Sequence, residues 1–474
     1  MNSNDTIAGV ATGPHESAIA IVRISGPDTA AVAARTFRPV SGENPADLAG
    51  YSVRYGHIID PSTGGVTDDG LLTTFRAPHS YTGEDSAEIS CHGGRVTVAR
   101  VLSHVLAAGI RAADPGEFTL RAFVNGRMDL AQAEAVAALV RARSEAGRRA
   151  ARRQLEGALS QRIREIKDEL VGLLAAIEVT IDFGDDVGPL DADSILVRLA
   201  GVEESVDALL RTADRGRVLR EGLRAAIVGR PNVGKSSLLN ALLRADRAIV
   251  TPIAGTTRDI LEESANLQGQ SLVLVDTAGV QNTEDPVERI GVERAEAAAS
   301  ACDVLLFVIE AAGLSEADRE AWRRLAPSAG DRIVIAVNKI DLADDAAVAR
   351  TVAEVSELAE SCAQGGRSES KMAVVAVSAL TGEGADRLES ALASAAGDAG
   401  GESDVVLITE RHRQALEQTA EAVRHSLRTV RAKLPADFIS IDVNGALACL
   451  SEITGERVSD EVIQRIFQDF CVGK

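Results

Sequence analysis

The 474-residue sequence lacks the features that mark a membrane or secreted protein. No apolar run approaches the ~20 residues that a transmembrane helix needs. The first residues, Met1 to Asp5, are polar, with no basic segment followed by an apolar one, unlike a secretory signal. We therefore expect a cytoplasmic protein with no membrane contact.

Cysteine and positive charge are also in short supply. The five cysteines (Cys91, Cys302, Cys362, Cys449 and Cys471) are scattered and form no CxxC pair, so the sequence indicates neither a disulfide framework nor a zinc site. The net charge of −20 argues against a protein that coats nucleic acid by bulk electrostatics. Any RNA contact must be local. The densest basic stretch, 141–164, has helical spacing and is interrupted by acidic residues, which favours a solvated helix face over an RNA patch.

The composition that remains is typical of a folded, multidomain protein. Hydrophobic residues make up 45% and charged residues 25% of the chain, and at about 150 residues per domain this length suggests three domains. Short alternating segments at 18–26, 51–60, 71–75 and 87–90 predict strands of an α+β N-terminal domain (1–122). Asp129 is a candidate helix cap, and the helical spacing of apolar residues after it, which continues over 155–177, predicts an all-α domain formed by 123–221 and 398–474. Apolar strands alternating with helices predict an inserted α/β domain over 222–397.

A phosphate-binding motif lies at the start of the predicted α/β domain. Residues 229–236 read GRPNVGKS, which fits GxxxxGK[ST] and lies directly after a strand and before a helix. Glycines in such a loop allow backbone N–H groups to surround phosphate oxygens at a helix N-terminus. Lys235 can neutralise the β and γ phosphates, and the Ser236 hydroxyl can ligate Mg²⁺.

Three further motifs follow in order at predicted strand ends, and two of them are expected to bind the guanine base. Residues 276–279 (DTAG) place a carboxylate near Mg²⁺ and a glycine N–H near the γ-phosphate. Residues 338–341 (NKID) supply Asp341, which can accept both guanine N–H groups, and residues 378–380 (SAL) would support the base. Adenine would leave Asp341 unpaired, so the four motifs together predict a GTPase similar to the translation-factor class.

The residues around these motifs predict an unusual route to hydrolysis. Val280 stands where Ras-like GTPases carry the glutamine that orients the attacking water. Upstream, residues 251–259 (TPIAGTTRD) contain a switch threonine, Thr257, and a loop able to bring backbone carbonyls near the phosphates. With the amide oxygen of Asn232, these oxygens could cage a monovalent cation where other GTPases place an arginine finger. This is the basis for a hypothesis that hydrolysis requires K⁺.

Motifs spread along the whole chain resemble those of the MnmE (TrmE) family. They are RISG (23–26), HGG (92–94), PGEF (115–118), the GTPase motifs with AGTTRD, and the terminal CVGK (471–474). The resemblance implies an N-terminal tetrahydrofolate-binding and dimerisation domain, a two-part helical domain and a GTPase domain that dimerises with K⁺ at its nucleotide face. It also implies a heterotetramer with the FAD-carrying flavoprotein MnmG (GidA). Together the two proteins would add an aminomethyl or carboxymethylaminomethyl group to the wobble uridine of certain transfer RNAs.

The resemblance assigns roles to individual residues of the GTP site. It implies K⁺ ligands at Asn232, Thr251, Ile253 and Thr256, and Mg²⁺ on Ser236 and Thr257. Glu288 matches the catalytic glutamate that polarises water; from the residues alone, it could equally be a helix N-terminal Glu that favours the dipole. The residues expected to bind GTP are Asn232, Val233, Gly234, Lys235, Ser236, Ser237, Thr251, Pro252, Ile253, Ala254, Gly255, Thr256, Thr257, Asp276, Thr277, Ala278, Gly279, Asn338, Lys339, Ile340, Asp341, Ser378, Ala379 and Leu380.

A folate site and a terminal thiol are also implied by the resemblance. The folate contacts map onto Arg23, Glu88, Arg127 and Lys474; at Arg127 many relatives carry Lys, which keeps the charge but changes the donor geometry. Val462, Ile466, Phe467 and Phe470 form a helical apolar face, so we expect the last four residues to be held in place. A helix C-terminus raises a thiol pKa, which disfavours Cys471 as a thiolate unless Lys474 or another cation offsets it.

Two other functions remain open on the sequence. A ribosome-assembly GTPase that acts as an RNA-binding switch would share the GTPase motifs, but it would carry a basic RNA-binding domain, which this acidic chain lacks. A folate-dependent one-carbon transferase would use GTP only as a regulator. The N-terminal and C-terminal motifs favour tRNA modification.

Overall fold

The computed structural model describes most of the chain as two compact units. It covers residues 5–13, 15–142, 144–188, 191–244, 262–267, 270–276, 302–329, 332–363, 372–395, 406, 408–468, 470 and 473. The first unit comprises Met1–Ala137, Gln154–Val206 and Gln414–Lys474. The second comprises Ala138–Arg153 and Asp207–Arg413. The bounds of the four segments expected from the sequence (1–122, 123–221, 222–397 and 398–474) stay a prediction.

A seven-stranded sheet forms the N-terminal part of the first unit. Its strands are β1 (Ile7–Val10), β2 (Ile19–Ser25), β3 (Phe37–Pro39), β4 (Ser52–Ile59), β5 (Val66–Phe75), β6 (Ser86–His92) and β7 (Arg111–Ala112). They are ordered β3-β4-β5-β6-β2-β1-β7, and every pairing is antiparallel except that of β1 with β7. The predicted strands correspond to β2, β4, β5 and β6.

Helices α1 (Thr29–Thr36) and α2 (Arg95–Ala107) cover one face of this sheet. Alternate residues of β2 point into the core, so Val22 and Ile24 are buried together with Ile89 of β6 and Val101 of α2. A short 3-10 helix, Pro45–Asp47, precedes β4, and α3 (Glu117–Val124) follows β7. The predicted α+β character of this region is confirmed.

Long helices follow along the chain: α4 (Leu130–Arg141), α5 (Glu145–Leu155), α6 (Ala158–Val187) and α7 (Ala192–Glu221). Asp129 caps α4 as predicted, because its Oδ1 accepts the backbone N–H of Gln132 at 2.9 Å while Gln132 Oε1 accepts the N–H of Asp129 at 3.0 Å. The helical spacing predicted on α6 is also confirmed. Leu159, Ile163, Ile166, Leu170, Leu173 and Ile177 are all buried.

The second unit contains a six-stranded sheet with helices on both faces. Its elements are β8 (Leu223–Val228), α8 (Lys235–Arg244), β9 (Glu262–Leu267), β10 (Gln270–Asp276), β11 (Val304–Glu310), α9 (Glu316–Ala329), β12 (Ile333–Asn338), the 3-10 helix Ile340–Leu342, α10 (Asp345–Ala363), β13 (Ala373–Ala376) and α11 (Ala385–Ala395). The strand order is β13-β12-β11-β8-β10-β9, and only β9 runs antiparallel. The predicted α/β fold is confirmed, and its parallel strands end at one shared edge.

Three C-terminal helices follow: α12 (Glu410–Arg431), α13 (Ala436–Thr454) and α14 (Asp460–Gln468). From Gln414 onward their residues belong to the first unit. Helix α13 packs against α6. Phe467 and Phe470 join Leu120, Leu130 and Val136 in one buried cluster, whereas Val462, expected on the same apolar face, is 38% exposed. Among the helices in the described ranges, none has both the length and the apolar composition needed to span a bilayer.

A core substitution in β11 tests the packing of the second unit. Leu306 is completely buried between β8 and β12, so Leu306→Ala should lower the free energy of unfolding by about 2–5 kcal/mol through lost apolar contacts and a cavity. Trp322, the chain's one tryptophan, is buried in the same unit and reports its urea unfolding by fluorescence.

The same substitution at an exposed leucine of this unit is the control. Leu342 is 76% exposed, so Leu342→Ala should change the free energy of unfolding by no more than about 0.5 kcal/mol. Equal effects of the two substitutions would contradict this account of the core.

Candidate functional site

The phosphate loop joins β8 to α8 and has a backbone that only certain residues tolerate. Gly229 has a φ of +149° and Gly234 a φ of +93°. A Cβ atom would lie 2.4 Å from the Val308 carbonyl oxygen at Gly229, and 2.4 Å from Asn338 Nδ2 at Gly234. Asn232 is left-handed at a φ of +68°, a conformation that asparagine adopts more readily than most residues. These features bring bare backbone close to the helix N-terminus, which suits a polyphosphate anion.

Lys235 is the first residue of α8 and folds over the loop that precedes it. Its ammonium group donates to the carbonyl oxygens of Gly229 and Arg230, each at 2.9 Å. Ser236 and Ser237 follow in the first turn, and both are exposed. The Lys235 ammonium group, the two serine hydroxyls and the first N–H groups of α8 therefore lie at the same edge of the sheet.

Asn338 ends β12 and ties the phosphate loop to the predicted base-binding loops. Its side chain is 1% exposed. Nδ2 donates to the Val233 carbonyl at 2.8 Å, and Oδ1 accepts the backbone N–H of Ala379 at 3.1 Å. The Asn338 amide thus connects its own motif (338–341) to the phosphate loop (229–236) and to residues 378–380. Asn338 and Val233 are 105 residues apart in sequence.

A hydrogen bond from Ser378 fixes the Asp341 carboxylate, which is expected to select guanine. The buried Ser378 hydroxyl donates to Asp341 Oδ1 at 2.5 Å, and Ser378 Oγ accepts the backbone N–H of Thr381 at 3.1 Å. Ile340 is half-buried and Leu380 is exposed at the same edge. Lys339 has a left-handed φ of +65°. The arrangement leaves Asp341 at an exposed rim with its orientation set by Ser378.

The switch and metal residues are described only in part. Asp276 ends β10 beside Ile227 of β8, which places its backbone at the edge where the phosphate loop begins. The remaining predicted residues lie outside the described residues: Thr251, Pro252, Ile253, Ala254, Gly255, Thr256, Thr257, Thr277, Ala278, Gly279 and Glu288. Their predicted roles stay predictions.

The first unit brings together two of the predicted folate residues. Arg23 of β2 and Glu88 of β6 are directly paired on neighbouring antiparallel strands, and Arg23 Nε donates to Glu88 Oε1 at 2.9 Å. The guanidinium lies 5.2 Å from the ring centre of Tyr81 and 5.7 Å from that of Phe118. Burial raises the pKa of the Tyr81 phenol, which donates to or accepts from Thr119 Oγ1 at 2.8 Å.

The end of the chain approaches this pair. Arg23 also donates to the Gly473 carbonyl at 3.3 Å, and a Cβ at Gly473 would lie 2.1 Å from the Val10 carbonyl oxygen. Arg127 lies beside the turn that carries Tyr81, since its Cγ is 3.2 Å from the Cβ position of Gly83. Lys474 and Cys471 lie outside the described residues.

Several contact residues at these sites were not predicted from the sequence. Tyr81, Phe118 and the Gly473 carbonyl meet Arg23 only through long-range folding, so no periodicity could reveal them. Glu310, in contrast, is the last residue of β11 and comes directly after an apolar run, which is the same signal that identified Asp276. It accepts hydrogen bonds from Lys339 and Arg230.

Comparison with known proteins now identifies the family. The model for the MnmE helical domain matches residues 130–471, and the model for the GTP-binding protein TrmE N-terminus matches residues 6–127. The chain belongs to the MnmE family. Curated tRNA modification GTPases MnmE are similar along the full length: those of Alkaliphilus metalliredigens (42% identical, 100% of both chains), Moorella thermoacetica (45%, 99% of this chain and 100% of that one) and Roseiflexus castenholzii (44%, 100% of both).

The MnmE resemblance expected from the sequence is therefore confirmed, and with it the enzyme class of a GTPase. Among solved structures, the FeoB G-domain of Methanococcus jannaschii covers 37% of this chain and 98% of its own at 24% identity and a TM-score of 0.27.

Asp341 offers a test of how the base is chosen. A carboxylate accepts two N–H groups of guanine, whereas an amide presents a donor that matches the second carbonyl of xanthine. Asp341→Asn should therefore weaken GDP binding at least about tenfold and make XDP the preferred diphosphate, because a charge-assisted bond is lost and a mismatched donor is introduced. Fluorescence competition between GDP and XDP measures this ratio.

Asp345→Asn is the matched control, since Asp345 is an exposed carboxylate in the first turn of α10. It should leave the ratio of GDP to XDP affinity unchanged. An Asp341→Asn protein that still prefers GDP would contradict the assignment.

Proposed function

We propose that this chain is a K⁺-dependent GTPase that, with a flavoprotein partner of the MnmG (GidA) type, forms the 5-carboxymethylaminomethyl or aminomethyl group on the wobble uridine of certain transfer RNAs. The observation that carries its GTPase part is the Asn338 amide, which joins Val233 of the phosphate loop to Ala379 beside the base-binding aspartate. The tRNA part is supported by full-length similarity to tRNA modification GTPases. The active species would be a homodimer within a heterotetramer.

The described residues account for nucleotide binding in this proposal. The backbone of the phosphate loop donates to phosphate oxygens, and Lys235 moves from the Gly229 and Arg230 carbonyls to the β and γ phosphates. Asp341, held by Ser378, accepts the guanine N–H groups. Ser236, with Thr257, would hold Mg²⁺, which supplies charge neutralisation at the phosphates when bound.

Val280 stands at the position of the glutamine that orients water in Ras-like GTPases, so other residues must perform that function in hydrolysis. Glu288 would polarise the attacking water, either directly or through a second water. Asn232 would contribute its side-chain oxygen to a K⁺ site with Thr251, Ile253 and Thr256, and its exposed, left-handed position in the phosphate loop fits that role. When bound, K⁺ supplies positive charge at the position of an arginine finger.

Replacing the monovalent cation tests this part of the proposal. GTP turnover should be at least about tenfold faster in KCl than in NaCl at equal ionic strength, because an arginine finger is worth about 10³ to 10⁵ in rate and a cation of the wrong size forfeits much of that. Affinity for GDP, measured in both salts, is the control and should not change. Equal turnover in Na⁺ and K⁺ would remove K⁺ from the mechanism.

A tetrahydrofolate one-carbon derivative, bound in the first unit, would supply the one-carbon unit. Glu88 suits the amide-like N–H groups of a pterin, and Arg127 and Lys474 suit the carboxylates of the glutamyl tail. Arg23 holds Glu88 in place and lies near the Tyr81 ring. The hydrogen bond from Arg23 to the Gly473 carbonyl keeps the C-terminal peptide beside this pair, which supports a role for Lys474.

The tRNA role is tested on wobble nucleosides. Mass spectrometry of transfer RNA from cells lacking the protein should show loss of the 5-carboxymethylaminomethyl and aminomethyl uridines. Wild-type protein and the exposed-site control Glu316→Ala should restore them, whereas Glu288→Ala, which should bind GTP without hydrolysing it, should not. An unaltered uridine profile would contradict modification and favour the alternative, a ribosome-assembly GTPase that acts as an RNA-binding switch.

A further inference from the structure

Glu310 joins the phosphate loop to the base-binding loop through a single carboxylate. It ends β11, directly opposite Asn338 in the pairing of β11 with β12. Its Oε1 accepts a hydrogen bond from Lys339 Nζ at 2.9 Å, and its Oε2 accepts one from the Arg230 guanidinium at 3.1 Å. Arg230 is the second residue of the phosphate loop, and Lys339 lies between Asn338 and Asp341. Each loop thus presents a cation to the same anion.

The Arg230 side of this contact depends on Glu310 for its best hydrogen bond. Arg230 Nε lies 3.3 Å from Oδ2 of Asp318, a fully buried carboxylate. That oxygen already accepts the Ser315 N–H at 3.0 Å and the Ser315 hydroxyl at 2.5 Å at the start of α9. Among the described residues, neither Arg230 Nε nor Asp318 Oδ1 has a hydrogen-bond partner. The ion pair with Asp318 therefore attracts Arg230 without fixing its orientation.

The Lys339 side matters because of its backbone. Lys339 has a φ of +65°, a conformation that costs a lysine energy and persists only when surrounding contacts hold it. The bond to Glu310 is such a contact, and the Asn338 side chain on the preceding residue is another. Release of Lys339 would loosen the turn that presents Asp341.

We propose that Glu310 is a positioning residue for guanine nucleotides. It acts through Lys339 and Arg230. By binding both side chains, it fixes the distance between the base-binding loop and the phosphate loop, so that both loops can contact the same nucleotide. The inference rests on the proposed role of residues 338–341 in guanine recognition. It adds a specificity-determining contact between the two loops rather than a contact with the base itself.

Glu310→Gln tests the proposal, because the amide keeps the size but can accept from only one cation and presents a donor to the other. The Kd for GDP should rise about tenfold, which is the scale of one charge-assisted hydrogen bond. The preference for GDP over IDP, which lacks the exocyclic amine, should shrink as Asp341 loses its alignment. KM for GTP should rise while kcat stays within about twofold, since Glu310 touches no reacting atom.

Glu316→Gln is the matched control. Glu316 pairs with Arg323 at 3.2 Å on the exposed surface of the same unit, so its loss should leave the GDP and IDP affinities unchanged. Glu310→Asp is the second variant, and it guards against a Gln variant that does not fold. Its shorter carboxylate keeps the charge but should not reach both cations, so it should give an intermediate Kd. Trp322 fluorescence verifies folding of each protein.

A double-mutant cycle separates positioning from a general loss of stability. If Glu310 acts through Lys339 and Arg230, then Glu310→Gln should raise the Kd for GDP by a smaller factor in a Lys339→Gln background than in the wild type, whereas independent effects would multiply. Multiplicative effects, or folded Glu310 variants with wild-type affinity and wild-type GDP to IDP ratios, would overturn the inference and leave the GTPase assignment intact. A wild-type protein that does not distinguish GDP from ADP would instead refute the proposed function.

Discussion

The buried amide of Asn338 is the interaction on which the nucleotide site depends. Its nitrogen binds the phosphate loop and its oxygen binds the segment after β13, so both are positioned by one rigid strand end. The close approach works only because Gly234 lacks a Cβ, which would collide with that nitrogen. A parallel sheet whose strands all end at one edge makes this possible, because motifs distant in sequence become neighbours there.

Local chemistry made much of this fold predictable from the sequence. Apolar strands buried on both faces, such as β11 and β12, are recognised by composition alone, and the cap at Asp129 follows from residue type and spacing. Strand β9 was not predicted because its sequence, EESANL, is polar, and its place at the sheet edge is set by pairing with β10. The short strands β1, β3 and β7 carry too few residues to show a period.

Contacts between distant residues were beyond the reach of such patterns. Arg23 meets Glu88 through strand pairing, 65 positions away, and meets Gly473 across 450 positions. The family resemblance supplied Arg23 and Glu88, but only folding brings Tyr81 and Phe118 to the guanidinium. Val462 shows the converse error, since a helical period assigned it to a buried face that α14 does not bury at that position. Periodicity identifies a face, and the packing partner decides how far burial extends.

In each unit the candidate site consists of side chains joined by hydrogen bonds between distant residues: the Asn338 amide in the second unit and the Arg23–Glu88 pair in the first. GTP hydrolysis requires that the protein first bind guanine nucleotides selectively, so every proposed step depends on the nucleotide site. Calorimetric titration of the full chain with GDP and with ADP tests it most directly. The account predicts that GDP binds on the order of 10⁴-fold more tightly, since adenine lacks the two N–H donors that Asp341 is expected to accept. Equal affinities for the two diphosphates would contradict it.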